Sequence, residues 1–581
     1  MSISNTNKKV VIAIDFGTSR SGYAYAFTAN PKIIGRTEWP GQKVPYCKTL
    51  THLLYDAEQS VLAWGWEAKK TLAEIQANFD STDYRFFEKF KMRLREHYTD
   101  SQVRSDQEPS ALNLTIDYLR LLKDLALEGV MSATAGHLQD HEILWCLTIP
   151  AIWTDAEKGL MRQAAQKAGL IKSGSSEDDC LLLVLEPEAA AIHYLNQEKL
   201  NPDKAQLKVG HHFMVVDAGG GTVDITVHKI LSDWRLEEVV PGSGGAYGST
   251  YIDNEFKQYL EQKLGKEVVQ KYEEEEPVDF LKMMEEWESQ KCDFDPQRSG
   301  QSTNFPIPTR LYKLLSRQYP DVLQRLEDEQ MGADEYIYLD NPTMTQIFMP
   351  VIDGLIQVVE NQFDILGKQQ CDFIFLVGGF SSSPFLQHYI RKHFADRVKK
   401  IVIPPFPGAA IVEGAVAYGL NPAVIPVRRS RFTYGCSTSK PFEADRDPEE
   451  KKVFSTYGDG WYCKNRFNIF VTTGEIVRAG QKSEPKTFEP LRKDQTKMKF
   501  GFYATPKKEV RYIDEDGVKK IGNLIVELPD NENRNIHKVN ITMYFGETEI
   551  MVEAVDEYSG EKCNTTLQFE FSAELGDGSN A

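Results

Sequence analysis

Two distant stretches of the chain share one pattern of apolar and polar positions. "VVIAIDFGTSRSGYAYAF" (Val10–Phe27) and "FMVVDAGGGTVDITVHKI" (Phe213–Ile230) both contain an apolar run, an aspartate, a short loop of glycine and hydroxyl residues, and a second apolar run. Apolar runs joined by such a loop predict β-hairpins. The repetition predicts two related lobes that face each other.

Between and after these hairpins, apolar runs alternate with amphipathic segments. Ile143–Leu170, Cys180–Leu195 and Phe373–Phe394 each have the pattern of a buried strand, a turn and a helix. Strands that alternate with helices predict an α/β fold. We predict a helix for the charged and aromatic stretch Arg85–Tyr98, and a glycine loop for "GSGGAYG" (Gly242–Gly248), which runs into a helix.

The charge pattern and the turn signals predict how the rest of the chain is divided. Residues 267–340 are rich in charge and predict an insert of solvated helices, with a docking surface as the alternative. Residues 421–431 read as a linker. Alternating Thr, Val, Phe and Tyr over residues 432–571 predict a β domain, and residues 572–581 a flexible tail. The preceding α/β domain spans residues 10–420.

Composition excludes several classes of protein. The chain has 581 residues, of which 41% are hydrophobic and 26% charged, as in ordinary globular proteins. Its net charge of −18 argues against a general grip on nucleic acid or an anionic membrane. The eight cysteines are scattered without the spacing of a zinc site. With no signal-like apolar segment at the start, we expect a protein of the cytoplasm or the nucleus.

Phosphate binding explains the residue types in the hairpin loops. Glycines allow backbone amides to approach phosphate oxygens, and loop hydroxyls add further donors. Asp15 and Asp217 would repel phosphate directly, so a hydrated Mg²⁺ between them is the arrangement that they favour. The alternative is that the glycines serve only to turn the chain. The further glycine pair Gly378–Gly379 makes this alternative weaker. The chain has no GxxxxGK[ST] motif, which excludes a P-loop.

These motifs resemble those of the seventy-kilodalton heat-shock chaperones, which belong to the actin-like ATPase superfamily. "IDFGTSRS" resembles the first phosphate loop, "VDAGGGTVDI" the second, "LEPEAAAIHYL" the connecting helix and "LVGGFSSSPFLQ" the adenosine loop. The resemblance covers nearly the whole chain and is greatest to the divergent type-12 branch. It implies a two-lobed actin-like ATPase domain followed by a β-sandwich-like peptide-binding domain, without a helical lid.

The resemblance also implies roles for individual residues toward ATP or ADP and Mg²⁺. Asp15 and Asp217 would hold Mg²⁺ through water, Asp224 would flank the second loop, and Glu186 would help to position the metal or water. Lys91 would be the catalytic lysine, with Lys89 as the competitor, on a helix over Phe86–Leu94. The nucleotide would contact Gly17, Thr18, Ser19, Gly219, Gly220, Gly221, Thr222, Glu288, Lys291, Gly378 and Gly379.

Some positions depart from the family pattern. Two arginines that stack on adenine are replaced by Cys292 and Ser382, and the acidic residue near the ribose is replaced by Pro407. Each lost guanidinium plane removes about 1–2 kcal/mol of contact. The acidic, leucine-rich linker of the family is replaced by "NPAVIPVRRSR". Pro150 matches a proline that relays nucleotide state between domains, although an ordinary turn explains it equally well.

Three hypotheses about function follow. The first is an ATP-binding, slowly ATP-hydrolysing chaperone-like protein that couples nucleotide state to a polypeptide client or regulatory partner, with co-chaperones of the J-domain or nucleotide-exchange class. The second is a nucleotide-dependent binding scaffold with little hydrolysis, which the missing arginines, linker and lid favour. The third is a sugar or metabolite kinase of the same fold, for which we find no sugar-recognition residues.

Overall fold

The computed structural model describes most of the chain. The described residues are 8–77, 84–96, 109–134, 138–171, 180–200, 206–298, 302–330, 332–404, 407–455, 460–490, 495–528, 538–560 and 562–566. The predicted tail, 572–581, lies outside them. None of the described helices is long and apolar enough to cross a bilayer.

The strands of the first lobe are β1 (Val10–Asp15), β2 (Arg20–Phe27), β3 (Asn30–Gly35), β4 (Thr49–Leu50), β5 (His52–Tyr55), β6 (Val61–Trp64), β7 (Arg85–Glu88), β8 (Ile143–Ile149) and β9 (Leu181–Leu185). Its main sheet has a path that runs β3-β2-β1-β8-β9. In this sheet β1 pairs antiparallel with β2 and parallel with β8. The helices are α1 (Gly65–Ala77), α2 (Arg93–Glu96), α3 (Ala111–Ala133), α4 (Asp155–Lys167) and α5 (Glu186–Leu200).

The second lobe repeats this arrangement. Its strands are β10 (His212–Ala218), β11 (Val223–Ile230), β12 (Leu236–Gly245), β13 (Ser302–Pro306), β14 (Tyr336–Asp340), β15 (Phe373–Val377) and β16 (Lys400–Val402). Its helices are α6 (Ser249–Leu264), α7 (Lys266–Glu275), α8 (Pro277–Asp293), α9 (Thr309–Gln318), α10 (Pro320–Glu329), α11 (Asn341–Leu366), α12 (Pro384–Phe394) and α13 (Ala410–Leu420). The sheet contains the path β12-β11-β10-β15-β16, so each lobe has an antiparallel hairpin followed by parallel strands, and the prediction of two related lobes is confirmed.

Helices α5 and α13 pack together between the two sheets. One apolar cluster joins Val11 of β1 and Val215 of β10 to the alanines of both helices. A Cβ at Gly414 of α13 would lie only 1.8 Å from the carbonyl oxygen of Ala189 on α5. The small residues of α13 therefore allow the close packing that holds the lobes around their common cleft.

Two predictions about local structure are wrong. The stretch Arg85–Tyr98 is not one helix: β7 pairs with β5, a turn follows in which Lys89 has φ +56, and only Arg93–Glu96 is helical. Residues 97 and 98 lie outside the described part. The glycine segment Gly242–Gly248 is not wholly a loop, because β12 continues through Gly245 and pairs with β11.

The charged block 267–340 also differs from the prediction of solvated helices. Alongside four α-helices it contains β13 and β14, which pair antiparallel. Its apolar residues, among them Tyr272, Trp287 and Leu315, are buried in the main core of the second lobe. The charges lie on the outer faces of amphipathic helices, so this block is part of the lobe.

The C-terminal region forms two five-stranded sheets and adds two further strands to the sheet of the second lobe. Its strands are β17 (Val427–Arg429), β18 (Thr433–Pro441), β19 (Lys452–Ser455), β20 (Gly460–Val471), β21 (Ile476–Arg478), β22 (Gln481–Lys482), β23 (Lys486–Phe488), β24 (Lys497–Thr505), β25 (Lys519–Glu527), β26 (Val539–Phe545), β27 (Met551–Asp556) and β28 (Lys562–Thr566). One sheet has the order β19-β20-β18-β24-β25, and the other joins β22, β23, β26, β27 and β28. The two strands added to the second lobe are β17 and β21. Residues of both sheets share one apolar core.

The segment predicted as a linker lies against the α/β domain. β17 pairs with β12 and with β21, which extends the sheet of the second lobe into the C-terminal region. Arg428 is buried, and its guanidinium donates to both carboxylate oxygens of Glu188 on α5, at 2.7 and 2.8 Å. A buried bidentate ion pair thus joins the linker segment to the helix that runs between the lobes.

Candidate functional site

A cavity of about 870 Å³ lies between the two lobes. The nucleotide-site residues that the sequence singled out line it, except Asp224 and the competing lysine, Lys89. Those that line it are Asp15, Gly17, Thr18, Ser19, Lys91, Glu186, Asp217, Gly219, Gly220, Gly221, Thr222, Glu288, Lys291, Gly378 and Gly379. The fold therefore brings together residues that are far apart in the chain, while their roles toward a ligand remain predictions.

The two glycine loops touch each other across the cleft. A Cβ at Gly220 would lie 2.5 Å from Oγ of Ser19, and a Cβ at Gly221 would lie 2.7 Å from Oγ1 of Thr18. The loops can approach this closely only because these positions carry no side chain. Both loops consequently present their backbone to the same cavity.

The start of α6 supports the second loop. The backbone N–H groups of Ser249 and Thr250 donate to the carbonyl oxygens of Gly219 and Gly220 at 3.1 and 2.9 Å. A Cβ at Gly248 would lie 2.3 Å from the Gly220 carbonyl oxygen, so the contact requires glycine there. Since α6 binds these loop carbonyls, their partial negative charge is partly satisfied by the protein. Such a loop is suited to an anionic ligand.

Four carboxyl groups are buried in or beside the cavity. Asp15 ends β1, Asp217 lies near the end of β10, Asp224 is opposite it in the ladder, and Glu186 begins α5. Burial, reinforced by Asp15 and Asp224, raises the pKa of Glu186 to about 7 despite the nearby Lys91. Burial and the charges of Glu186 and Asp224 raise the pKa of Asp217 well above its ordinary value. The raised pKa values show that these carboxyl groups disfavour one another's charged form, and a cation placed near them would relieve this repulsion.

Lys91, rather than Lys89, faces the cavity. The Lys91 ammonium is buried and donates to Oε1 of Glu186 at 2.8 Å. Lys89 does not line the cavity, and its ammonium lies 3.2 Å from Oδ2 of Asp253 on α6. Of the two candidates left open by the sequence, the geometry supports Lys91.

Lys48 is a site residue that sequence reasoning missed. It lines the cavity, and its ammonium lies 2.6 Å from Oδ2 of Asp15. Burial disfavours its charge, but Asp15 outweighs this and raises the pKa of Lys48 above its ordinary value. Thr148, also missed, donates to Oδ1 of Asp15 at 3.1 Å. The one available signal was a single lysine within the otherwise uncharged run "VPYCKTLTHLLY".

The opposite end of the cavity is formed by α8 and the Gly378–Gly379 turn. Lys291 is buried, and its ammonium is 2.6 Å from Oδ1 of Asp253 and pairs with Glu288. Cys292 and Ser382 line the same end, where the family pattern would place arginines. Gly378 has φ +85, which favours glycine. This end is therefore formed by the predicted residues, with Cys292 and Ser382 in place of guanidinium planes.

The site offers a partial fit to a magnesium ion. Oδ1 of Asp217 is buried and has no hydrogen-bond partner among the described residues, so it could accept from the water of a cation. Both oxygens of Asp15 already contact Lys48 and Thr148. Within the described part of the chain no three acidic, histidine or cysteine side chains form a direct metal cluster. Coordination through water is the mode that these residues could supply.

The lining is basic although the chain is acidic. Among the described residues, seven basic side chains and four acidic ones line the cavity. The basic ones are Arg20, Lys43, Lys48, Lys69, Lys70, Lys91 and Lys291, and the acidic ones are Asp15, Glu186, Asp217 and Glu288. Against a net charge of −18 for the whole chain, this concentration of positive charge favours an anionic ligand.

Comparison with known proteins agrees with this geometry. Residues 127–420 match the profile of the Hsp70 protein family. The chain is 28% identical to human (Homo sapiens) heat shock 70 kDa protein 12A and also to human heat shock 70 kDa protein 12B, in each case over 96% of this chain and 91% of the relative. It is 24% identical to a chaperone protein HscA homolog of Acinetobacter baumannii (strain AYE), over 67% of this chain and 54% of that protein.

The matched residues begin in α3 and end with α13, so they contain the second glycine loop, α5, α8 and the Gly378–Gly379 turn. The similarity to the type-12 relatives extends over nearly the whole chain, including the C-terminal sheets. The chain therefore belongs to the Hsp70 family, and its relatives support its place in the type-12 branch.

Proposed function

We propose that this protein binds ATP in the interlobe cavity, hydrolyses it slowly to ADP and phosphate, and couples the nucleotide state to binding of a polypeptide client or partner. The observation that carries the proposal is the convergence of both glycine loops, Lys91, Glu186 and Asp217 on one basic cavity. Family membership supports nucleotide binding and a chaperone-like role.

The residues suggest how the reaction would be assisted. Backbone amides of the two loops, with Thr18 and Thr222, would orient the phosphates. The Lys91 ammonium would offset negative charge on the transferred phosphoryl group. Glu186 has a pKa of about 7 and is therefore suited to accept a hydrogen bond or a proton from the attacking water. Mg²⁺, held through water by Asp217, would neutralise further phosphate charge.

The interface with the C-terminal region supports the coupling. Glu186 faces the cavity, and Glu188, two residues further along α5, pairs with Arg428. In addition, Arg431 donates to the carbonyl oxygen of Ala151, in the turn that contains Pro150. If α5 or this turn moved when the nucleotide state changed, these two contacts would transmit the movement directly to the β domain. A relay through residues near Pro150 is therefore part of the proposal.

A scaffold that hydrolyses little is the second candidate. Cys292 and Ser382 line the cavity where stacking arginines are absent, which would weaken or alter the pose of the base. A nucleotide held loosely at that end could bind without efficient turnover, because catalysis depends on accurate positioning of the phosphates.

One experiment separates the candidates. Calorimetry would measure binding of Mg·ATP, and single-turnover assays would measure phosphate release, for the wild type, for Asp217→Asn and for Asp353→Asn, an exposed residue of α11 that serves as control. Release that is lost only in Asp217→Asn supports the ATPase. Binding without release supports the scaffold, and release that requires an added sugar indicates a kinase. Absence of binding in all three proteins would contradict both candidates.

A further inference from the structure

Lys48 reaches Asp15 through a gap that the local structure creates for it. Gly22 lies opposite Asp15 in the β1–β2 ladder. A Cβ at Gly22 would lie 2.5 Å from the carbonyl oxygen of Cys47 and 3.2 Å from Cγ of Lys48. The next residue, Thr49, pairs with Ser21 in β4 and β2 and fixes the backbone beside the first loop. The position of the lysine is therefore built into the strand register.

The ammonium group of Lys48 lies against the carboxylate that was predicted to hold Mg²⁺ through water. It lies 2.6 Å from Oδ2 of Asp15, while Oδ1 accepts from Thr148. Oδ2 of Asp15 and Oδ1 of Asp217, the corresponding carboxylate of the second lobe, are both buried without a well-directed hydrogen bond among the described residues. The two aspartates differ in charge compensation: an ammonium group lies against Asp15, whereas no ion pair of Asp217 is found among the described residues.

Lys48 also has hydrogen-bonding capacity left for a ligand. A lysine ammonium carries three N–H donors, and among the described residues Asp15 is the one ion-pair partner of Lys48. Lys48 lines the same cavity as Lys91 and the glycine loops. Two ammonium groups of the first lobe therefore border the space where phosphates would lie, and both are held by buried carboxylates, Asp15 and Glu186.

We propose that Lys48 is a second phosphate-binding lysine that replaces, at Asp15, the charge neutralisation expected from a divalent cation, so that this protein retains ADP and ATP when Mg²⁺ is removed. The inference rests on the proposed nucleotide site and specifies how that site balances charge. A lysine that served only to keep Asp15 neutral would instead leave nucleotide binding dependent on the metal.

The test is calorimetric titration of ADP with Mg²⁺ and with EDTA, in the wild type, in Lys48→Met and in Lys32→Met, an exposed lysine of β3 that serves as control. For the wild type and the control, we expect Kd to rise less than about tenfold in EDTA. In Lys48→Met, Kd in EDTA should rise by a further factor of about 10 to 100, the effect of one hydrogen bond to a charged group.

Because Lys48→Met leaves Asp15 buried without its partner, the double variant Asp15→Asn/Lys48→Met is measured as well, and thermal unfolding confirms that each variant is folded. In the double variant, whose buried charges are both removed, binding in EDTA should stay weak. Equal sensitivity to EDTA in the wild type and Lys48→Met, or a wild type that binds only with Mg²⁺, overturns the inference and leaves the nucleotide site standing. Absence of ADP binding in both conditions overturns the proposed function, and the inference falls with it.

Discussion

The ammonium group of Lys91 lies 2.8 Å from Oε1 of Glu186, and both side chains are buried at the wall of the interlobe cavity. This contact joins the turn after β7 to the first residue of α5, two parts of the first lobe that are far apart in the sequence. It places a donor and a proton acceptor side by side where the loops converge.

For Lys91→Met, we expect single-turnover phosphate release to fall by about 10²–10³-fold, because one preorganised donor at the developing charge is lost. Lys89→Met is the matched control, since its ammonium contacts Asp253 and does not line the cavity. Its release rate should stay within about threefold of the wild type, because the ion pair that it loses lies outside the cavity and such a pair is worth only about 0.2–1 kcal/mol. An equal loss in both variants would contradict the assignment to Lys91.

Gly248→Ala should weaken nucleotide binding by at least about tenfold, the equivalent of 1.4 kcal/mol. The added Cβ would lie 2.3 Å from the Gly220 carbonyl oxygen, and only a shift of backbone could relieve the contact. The control is Gly35→Ala, whose Cβ would have one neighbour within 4 Å among the described residues, Oε1 of Glu413 at 3.9 Å. Calorimetry measures both, and an unchanged Kd for Gly248→Ala would show that the second loop does not depend on α6.

Arg428→Met should lower the free energy of unfolding by about 3–5 kcal/mol, because Glu188 remains buried without its partner. The double variant Arg428→Met/Glu188→Met, which removes both charges, should recover much of this loss. Arg478→Met, an exposed position on β21, should change stability by less than about 0.5 kcal/mol. Urea unfolding measures all three, and a double variant that is no more stable than Arg428→Met would argue against coupling between the two buried charges.

His228 should make the protein less stable in mild acid. Burial lowers its pKa from the ordinary 6.5 to about 4, although Glu188 opposes this shift. Between these values the unfolded chain binds the proton more readily, so the free energy of unfolding falls as the pH drops, by up to about 1.4 kcal/mol per pH unit. This contribution is fully present above pH 6.5.

His228→Gln should therefore show a shallower loss of stability than the wild type when urea unfolding is measured between about pH 7 and pH 5. Other groups titrate in this range, including Glu238, whose pKa burial raises to about 7. They are common to both proteins, so the difference between the two curves isolates the histidine. Parallel curves would contradict a shifted pKa at position 228.

The sequence was sufficient to predict both hairpins, the glycine loops and three of the carboxylates that line the cavity, Asp15, Glu186 and Asp217. In β1 and β10 every residue except His212 is buried, and an aspartate interrupts each apolar run near its end. A charge buried in an apolar strand is costly unless it is paired, so it has few structural explanations. The glycines beside each aspartate favour one of these explanations, the binding of a ligand. The pattern therefore predicted both the strands and the chemistry between them.

Other elements depend on contacts that local pattern does not contain. Arg85–Glu88 became a strand because β5 offers an edge to pair with, which overrides helix propensity. In the sequence of block 267–340, many charged residues stand between the apolar residues that form its buried face, for example Val268, Val269 and Tyr272. Lys48 carries no motif, since its partner Asp15 is brought to it by the register of β2 and β4.

The sheet of the second lobe does not end where the α/β domain ends in the sequence. β12, β17 and β21 lie side by side, so a single hydrogen-bonded surface crosses from one domain through the linker segment into the other. In a protein truncated after Leu420, the outer edge of β12 would have no partner strand, and such an edge can pair with another molecule and promote aggregation. A truncated protein that contains only the α/β domain should therefore retain residues up to Arg429. If a shorter version lost solubility, the cause would be the exposed edge of β12 and not the unfolding of a lobe.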